Sequence, residues 1–236
     1  MKRLSVLAIV AIVVGIASSC DSKKSVSFKT EIDTVSYFLG ASYGHGLKEQ
    51  FKQAPGDPIN IDALIKGFVD GAESKDSIFT LFGKSEQDMQ SFVNGYFQKA
   101  MQDQAQKTKE EGEVFLASNK TKSGVISTES GLQYKVLTEG TGIKPTLEDT
   151  VLVHYTGKFL DGTVFDSSVQ RGEPIKFPVQ GVIQGWSEGV QLMPKGSKYM
   201  FWIPYNLAYG EQGNQIIKPN STLEFEVELL DVLKKK

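Results

Sequence analysis

One cysteine and two histidines in 236 residues leave little room for several kinds of chemistry. A lone Cys20 cannot close an intrachain disulfide, so no disulfide framework holds this chain together. His45 and His154 are the only imidazoles, and with one thiol they cannot supply the clustered spacing of a metal site. A Ser-His-Asp or Cys-His nucleophile would have to use one of those two histidines. An excess of either charge is missing too: 26 Lys and Arg stand against 28 Asp and Glu. The resulting net charge of −2 gives no basic footprint for nucleic acid. The longest apolar run, Leu4 to Ile16, falls short of the roughly 20 residues a spanning helix needs.

What is present begins with that run. Lys2 and Arg3 precede it, and Ala17, Ser18 and Ser19 follow it, leading directly to Cys20. Basic start, apolar centre and small residues make a targeting segment. The order resembles a bacterial lipoprotein signal, in which the cysteine is lipidated and becomes the mature N-terminus. Ser19 departs from that pattern, where Gly or Ala is commoner. The expectation is a signal peptide over 1–19 and a polar, lipid-anchored tether over 20–30, which would hold the protein at a membrane.

From Thr30 the pattern turns helical. Thr30 followed by Asp33 makes a capping signal, with Val35, Phe38 and Leu39 at helical spacing. Gly44-His45-Gly46 weakens helix propensity, and Pro55-Gly56-Asp57-Pro58 predicts a break. A second helix is predicted to begin at Asp62. A long third one opens at Ser85-Glu86-Gln87-Asp88, with an apolar stripe that includes Met89, Phe92, Val93, Tyr96 and Phe97. Beyond Met101 the stripe fades, and the segment from Lys107 to Lys122 reads as a solvated stalk. These few helices hold more Phe, Tyr and Met than so small a unit can bury, so the helical region, 31–122, is expected to pair with a second copy as a homodimer.

After Ser123-Gly124 short β-rich runs appear: 132–137, 150–159, 164–166, 175–178, 198–203 and 222–233. In the last, Leu223, Phe225, Val227 and Leu229 alternate with Glu224, Glu226 and Glu228, the pattern of a half-buried antiparallel strand with a solvated acidic face. Of Phe201 and Trp202, one should face in and the other out. One short helix is expected between Pro178 and Pro194, so the fold class is α+β over 123–236. Lys234–Lys236 read as a basic tail with no evident role.

The stretches VHYTGKFLDGTVFDSS, PIKFPVQGVIQGWSEGVQLMPKGSK, IPYNLAYGEQG and STLEFEVELLDV occur in an order and spacing that resemble the FKBP type of peptidyl-prolyl cis-trans isomerase. The helical half is similar to the dimerisation domain of two-domain bacterial envelope FKBPs of the macrophage-infectivity-potentiator kind. The resemblance implies a curved antiparallel sheet wrapped on one short helix, and isomerisation of X–Pro bonds in unfolded or partly folded exported proteins of the cell envelope. It implies no cofactor and no metal, and it brings FK506-like macrolides as candidate ligands. It places Tyr155, Phe165, Asp166, Trp186, Tyr209 and Phe225 at catalytic positions. Arg171, Ile175, Val182, Ile183 and Ile217 fall at substrate-binding positions, with Trp186 as pocket floor and Ile183 offering its backbone N–H. Ile175 stands where the family often has Phe, and the loop Glu211–Lys218 lacks the usual Pro and His. A different reading keeps the chain mainly as a holdase, its helical cleft binding unfolded clients and the FKBP unit serving as a proline-binding module.

The reaction suits such an inventory, because rotating an X–Pro bond breaks no covalent bond and moves no proton. Planar amides are polarised by resonance, and the twisted transition state loses that polarity. A dry aromatic pocket therefore disfavours the planar form more than the twisted one. Asp166 is then a fixed acceptor, with Arg171 as its partner. Neighbours on a regular strand face opposite ways, so Phe165 and Asp166 can share one pocket only across a bulge or bend. By the same alternation, His154 faces away from the pocket that Tyr155 lines.

Overall fold

A computed structural model describes residues 28–52, 54–74 and 83–235. Cys20 and the apolar run before it lie outside the described residues. The chain falls into two compact units, Met1–Gln53 and Ala54–Lys236.

In the first unit, helix α1 spans Glu31–Lys52. Its start is a capping box: the Asp33 N–H donates to Thr30 Oγ1 at 3.3 Å, and the Thr30 N–H donates to Asp33 Oδ2 at 2.9 Å. The Gly44-His45-Gly46 cluster lowers propensity without interrupting the helix. No residue of α1 is buried, and Phe38 and Tyr43 stand 67% and 70% exposed. Among the described residues, no helix is long and apolar enough to cross a membrane.

The second unit opens with α2, Ile61–Glu73, capped by Asn60, whose Oδ1 accepts from the Ala63 N–H at 3.0 Å. Helix α3, Glu86–Asn119, starts at Ser85, whose Oγ accepts from the Asp88 N–H at 3.2 Å. There follow β1 Val125–Ser127, β2 Gln133–Thr138, β3 Thr150–Phe159, β4 Val164–Ser167, α4 Ser168–Arg171, β5 Ile175–Pro178, α5 Gln184–Leu192, β6 Lys198–Ile203 and β7 Leu223–Leu233. The strands form one antiparallel sheet in the order β1-β2-β6-β7-β3, with β4 and β5 sharing the outer edge of β3. Neither β1 nor α4 was expected from the pattern. The inner face carries Val151, Val153 and Tyr155 of β3 beside Phe225, Val227 and Leu229 of β7, and α5 packs over them. Gly185 and Gly189 let α5 approach β6 closely: a Cβ at Gly185 would lie 2.3 Å from Ile203 Cγ2. That approach sets the depth of Trp186.

The end of α3 is exposed over most of its surface, as a solvated stalk would be, but it is docked along one side. It docks on the outer face of the sheet, burying Gly112 and Asn119. Gly112 is what the close approach requires, since a Cβ there would fall 2.4 Å from Thr222 Oγ1. Gln133 Nε2 donates to the Leu116 carbonyl at 2.9 Å, Asn119 Nδ2 donates to Gln133 Oε1 at 3.0 Å, and Asn220 Nδ2 donates to the Ala105 carbonyl at 3.1 Å. Polar partners replace an apolar stripe at this contact, so a search for hydrophobic periodicity passes over it.

The same outer face explains Trp202. Phe201 points inward and Trp202 outward, as alternation requires, yet Trp202 is only 9% exposed. It pairs in register with Gln133 and Glu224, and its Nε1–H donates to Glu224 Oε2 at 2.7 Å. The acidic face of β7 is therefore half-buried and partnered, with Lys198 3.2 Å from Glu226 and 3.4 Å from Glu228. The C-terminal lysines are likewise engaged: Lys234 Nζ lies 2.7 Å from Asp149 Oδ2, and Lys235 Nζ lies 2.6 Å from Glu148 Oε2.

Candidate active site

Between α5 and the inner face of the sheet lies a cavity of about 530 Å³. Trp186 forms its floor at the first turn of α5, with only 8% of its surface exposed. Three rings meet the indole edge to face: Tyr155, Phe177 and Phe225, each with its centroid 5.2 Å away. Phe165 continues the wall, 5.5 Å from Phe225 and near-perpendicular to it. Ile175, Val182 and Ile183 supply aliphatic surface, and Tyr209 stands at the rim, 39% exposed.

Phe165 and Asp166 both line this cavity. The register shows how: Asp166 pairs with Gly157 and Val164 with Lys158, leaving Phe165 as the extra residue of a bulge. The bulge rotates two successive side chains to the same side. The next turn, α4, then brings Arg171 back to Asp166. Ser167 caps α4 by accepting from the Gln170 N–H at 3.2 Å, and Gly172 ends it with φ 80°. Buried Ser168 ties the turn to β3, its Oγ accepting from the Tyr155 N–H at 2.8 Å. Its other neighbour is His154 Nδ1 at 3.1 Å; the histidine faces away from the cavity.

Around Asp166 the hydrogen bonds close a triangle. Its carboxylate accepts from the Tyr155 hydroxyl and from the Arg171 guanidinium, and Arg171 Nη2 donates to the Tyr155 oxygen at 3.0 Å. Burial pushes the Asp166 carboxyl up, but the bonds from Tyr155 and Arg171 outweigh it and hold the group below its ordinary range. Burial raises both Tyr155 and Tyr209 above the usual phenol value, with the Asp166 charge adding to each. Two donors remain open at the rim: among the described residues the Ile183 N–H and the Tyr209 hydroxyl meet no acceptor.

The structure thus brings Tyr155, Phe165, Asp166, Trp186, Tyr209, Phe225, Ile175, Val182 and Ile183 together. Two other sequence-assigned positions lie elsewhere. Arg171 does not line the cavity but braces Asp166 from outside it. Ile217 is 2% exposed and packs in the core. Asn214 Oδ1 accepts from both Ile216 N–H at 2.8 Å and Ile217 N–H at 2.7 Å, a turn that sends Ile216 outward and Ile217 inward. Phe177 was overlooked, although it alternates with Ile175 on β5 and so shares its face. Among the described residues, no three His, Cys, Asp or Glu side chains cluster where a metal could be held.

The comparisons with known proteins agree with this geometry. Residues 141–230 match the model of the FKBP-type peptidyl-prolyl cis-trans isomerase family, and residues 32–136 match the domain amino-terminal to FKBP-type peptidyl-prolyl isomerase. The Outer membrane protein MIP of Legionella longbeachae is 39% identical over 235 residues, 96% of this chain and 97% of that protein. The FKBP-type 22 kDa peptidyl-prolyl cis-trans isomerase of Escherichia coli is 45% identical over 198 residues, 82% of this chain and 94% of that one. The crystal structure of FkpA from Escherichia coli superimposes with a TM-score of 0.71 at 38% identity, covering 88% of this chain and 99% of that chain. The chain belongs to the FKBP-type peptidyl-prolyl cis-trans isomerases, enzymes that interconvert the cis and trans forms of X–Pro bonds.

Proposed function

We propose that the aromatic cavity over Trp186 is the site where the proline ring is held and the X–Pro bond turns. The observation that carries this reading is the cavity itself: aromatic rings packed edge to face for walls, and one ionised carboxylate fixed by Tyr155 and Arg171. A proline ring laid on Trp186 buries apolar surface without needing a hydrogen bond. The planar amide, polarised by resonance, loses hydration there, while the twisted amide has less polarity to lose. The rim donors, Ile183 N–H and Tyr209 hydroxyl, hold carbonyls on either side of the rotating bond. Asp166 contributes a fixed negative field beside the amide and takes no proton.

A pH profile tests that last point. Asp166, with its pKa lowered, stays ionised above the ordinary carboxylate range and is neutralised only as pH falls below it. Tyr155 and Tyr209, both raised, stay neutral until pH exceeds the ordinary phenol value. The isomerisation rate of a proline tetrapeptide, followed by NMR exchange, should therefore be flat from about pH 5 to about pH 9. A bell-shaped profile would mean that a proton-bearing group takes part, and would overturn this mechanism. The part of folding stability that depends on Asp166 follows the same sign: present above the ordinary carboxylate value and lost as pH falls through the lowered one.

The clients are proposed to be unfolded or partly folded proline-containing proteins exported to a bacterial envelope. One relative is named an outer membrane protein, and the sequence of residues 1–20 has the form of a lipoprotein signal. On this reading 1–19 is removed, 20–30 is the tether, 31–122 dimerises and 123–236 is the isomerase. Cys20 carries the acyl anchor. A Cys20→Ala variant is expected to leave the membrane fraction; retention there would refute the anchor. Dimerisation is supported by the apolar side chains left uncovered on single-chain helices, among them Phe38, Phe68 and Phe92, each at least 65% exposed. Sedimentation of the mature chain should give twice the monomer mass, whereas a monomer at micromolar concentration would count against it. The cavity is also proposed to take FK506-like macrolides. The holdase alternative is not favoured, since relatives of this chain are named as isomerases.

A further inference from the structure

A second cleft, of about 320 Å³, adjoins the catalytic cavity. Its walls come from three parts of the unit: Thr108 and Glu111 on α3, Phe159 and Asp161 at the β3–β4 turn, and Ile216 and Lys218 on the following loop. Two features make it continuous with the proline site. Phe159 lines the cleft and Phe165 lines the cavity, and their ring centroids lie 5.0 Å apart, so this aromatic pair joins a wall of one to a wall of the other. The segment from Tyr209 to Lys218 serves both, with Tyr209 in the cavity and Ile216, 64% exposed, in the cleft.

The helical wall is held in place. Asn220 Nδ2 bonds the Ala105 carbonyl at 3.1 Å, and Gly112 lies against Thr222, so α3 cannot drift from the cleft without breaking that docking. Extended chain advances roughly 3.3 Å per residue. A polypeptide whose proline sits on Trp186 therefore reaches past the Phe159–Phe165 pair within a few residues. The cleft offers apolar surface from Phe159 and Ile216; its rim carries two carboxylates, Glu111, loosely paired with Lys107 at 3.9 Å, and Asp161, beside the Lys218 ammonium.

We propose that this cleft is a second subsite for the client polypeptide, taking an apolar side chain, with a basic residue beside it, a few positions from the proline. The inference rests on the cavity being the proline site. It assigns to α3 a direct part in client selection, beyond joining two halves of the chain.

Two cleft substitutions in the full chain test it: Thr108→Trp, which fills the cleft from the helix side, and Ile216→Ser, which strips its apolar wall. The probes are a proline tetrapeptide, peptides of about a dozen residues bearing Leu-Lys before or after the proline, and the same peptides with Ser-Ser instead. In both variants KM for one Leu-Lys peptide should rise about tenfold with kcat unchanged, while tetrapeptide kcat/KM stays as in the native protein. With the Ser-Ser peptides the variants and the native protein should not differ. Unchanged KM for both Leu-Lys peptides in both variants would overturn the subsite. An equal loss on the tetrapeptide would also overturn it, by showing that the cleft is only structural support. Failure of the proline-site reading is seen separately, as tetrapeptide turnover that survives loss of Asp166.

Discussion

Asp166→Ala is expected to lower kcat/KM for a proline tetrapeptide by about a hundredfold, the scale on which losing one preorganised electrostatic group acts. The carboxylate sits on the cavity wall with its direction set by Tyr155 and Arg171. Removing it takes away the fixed negative field and also releases the Tyr155 ring, which forms part of the wall. Folding should suffer far less. The Asp166 side chain is 42% exposed, so water can replace much of what Arg171 loses. NMR exchange spectroscopy gives the turnover and thermal unfolding gives the stability. A variant that keeps its turnover would show that the carboxylate is a structural group, and the assignment of Asp166 to the reaction would fall.

The second large effect is expected at Gly157, which touches no substrate. A Cβ on Gly157 would lie 2.7 Å from Phe165 Cζ and 2.7 Å from Phe225 Cε1. Both rings line the cavity and can give way only into it. Phe165 is backed by Phe159 with centroids 5.0 Å apart, and Phe225 is backed by Trp186 at 5.2 Å. One added methyl therefore displaces two cavity walls and presses on the floor. Gly157→Ala should cost about 2 kcal/mol of stability by overpacking, and turnover should drop because the cavity changes shape. Gly44→Ala in α1 is the control: nothing lies within 4 Å of a Cβ there, and helix propensity favours the change. If Gly157→Ala unfolds at the native temperature with native turnover, the tight ring contact described here does not exist in solution.

Local chemistry was the legible part of the chain. The caps at Thr30 and Ser85 were readable because each is completed within three residues. Alternation along β3 and β7 was readable because one buried face dictates a period of two. The pairing of Phe165 with Asp166 in one cavity even demanded a bulge, and the register has one at Phe165. The one-sided docking of α3 was missed for the opposite reason. Its docking uses Gly112, Asn119 and backbone carbonyls, which leave no hydrophobic period, and its partners, Gln133, Asn220 and Thr222, lie far along the chain. The acidic face of β7 was read as solvated, yet Glu224 accepts from Trp202 and Lys198 pairs with Glu226 and Glu228.

The reaction class came from four stretches that resemble the FKBP-type isomerases, and residue types and their short-range order are compatible with it. Without clustered imidazoles or thiols, but with aromatics in a recurring register, this chain suits a reaction that moves no proton. Pattern placed the longer helices and all strands but β1, and the resemblance placed Tyr155 and Asp166. Which residues finally touch the cavity was a matter of long-range packing. Arg171 became a brace because α4 folds back on β3, Ile217 went to the core because Asn214 turns the loop, and Phe177 joined the wall because β5 pairs with β3. The first two are local turns that carry no periodic signal, and the third is a pairing of distant strands that exists only once the sheet has closed around Trp186.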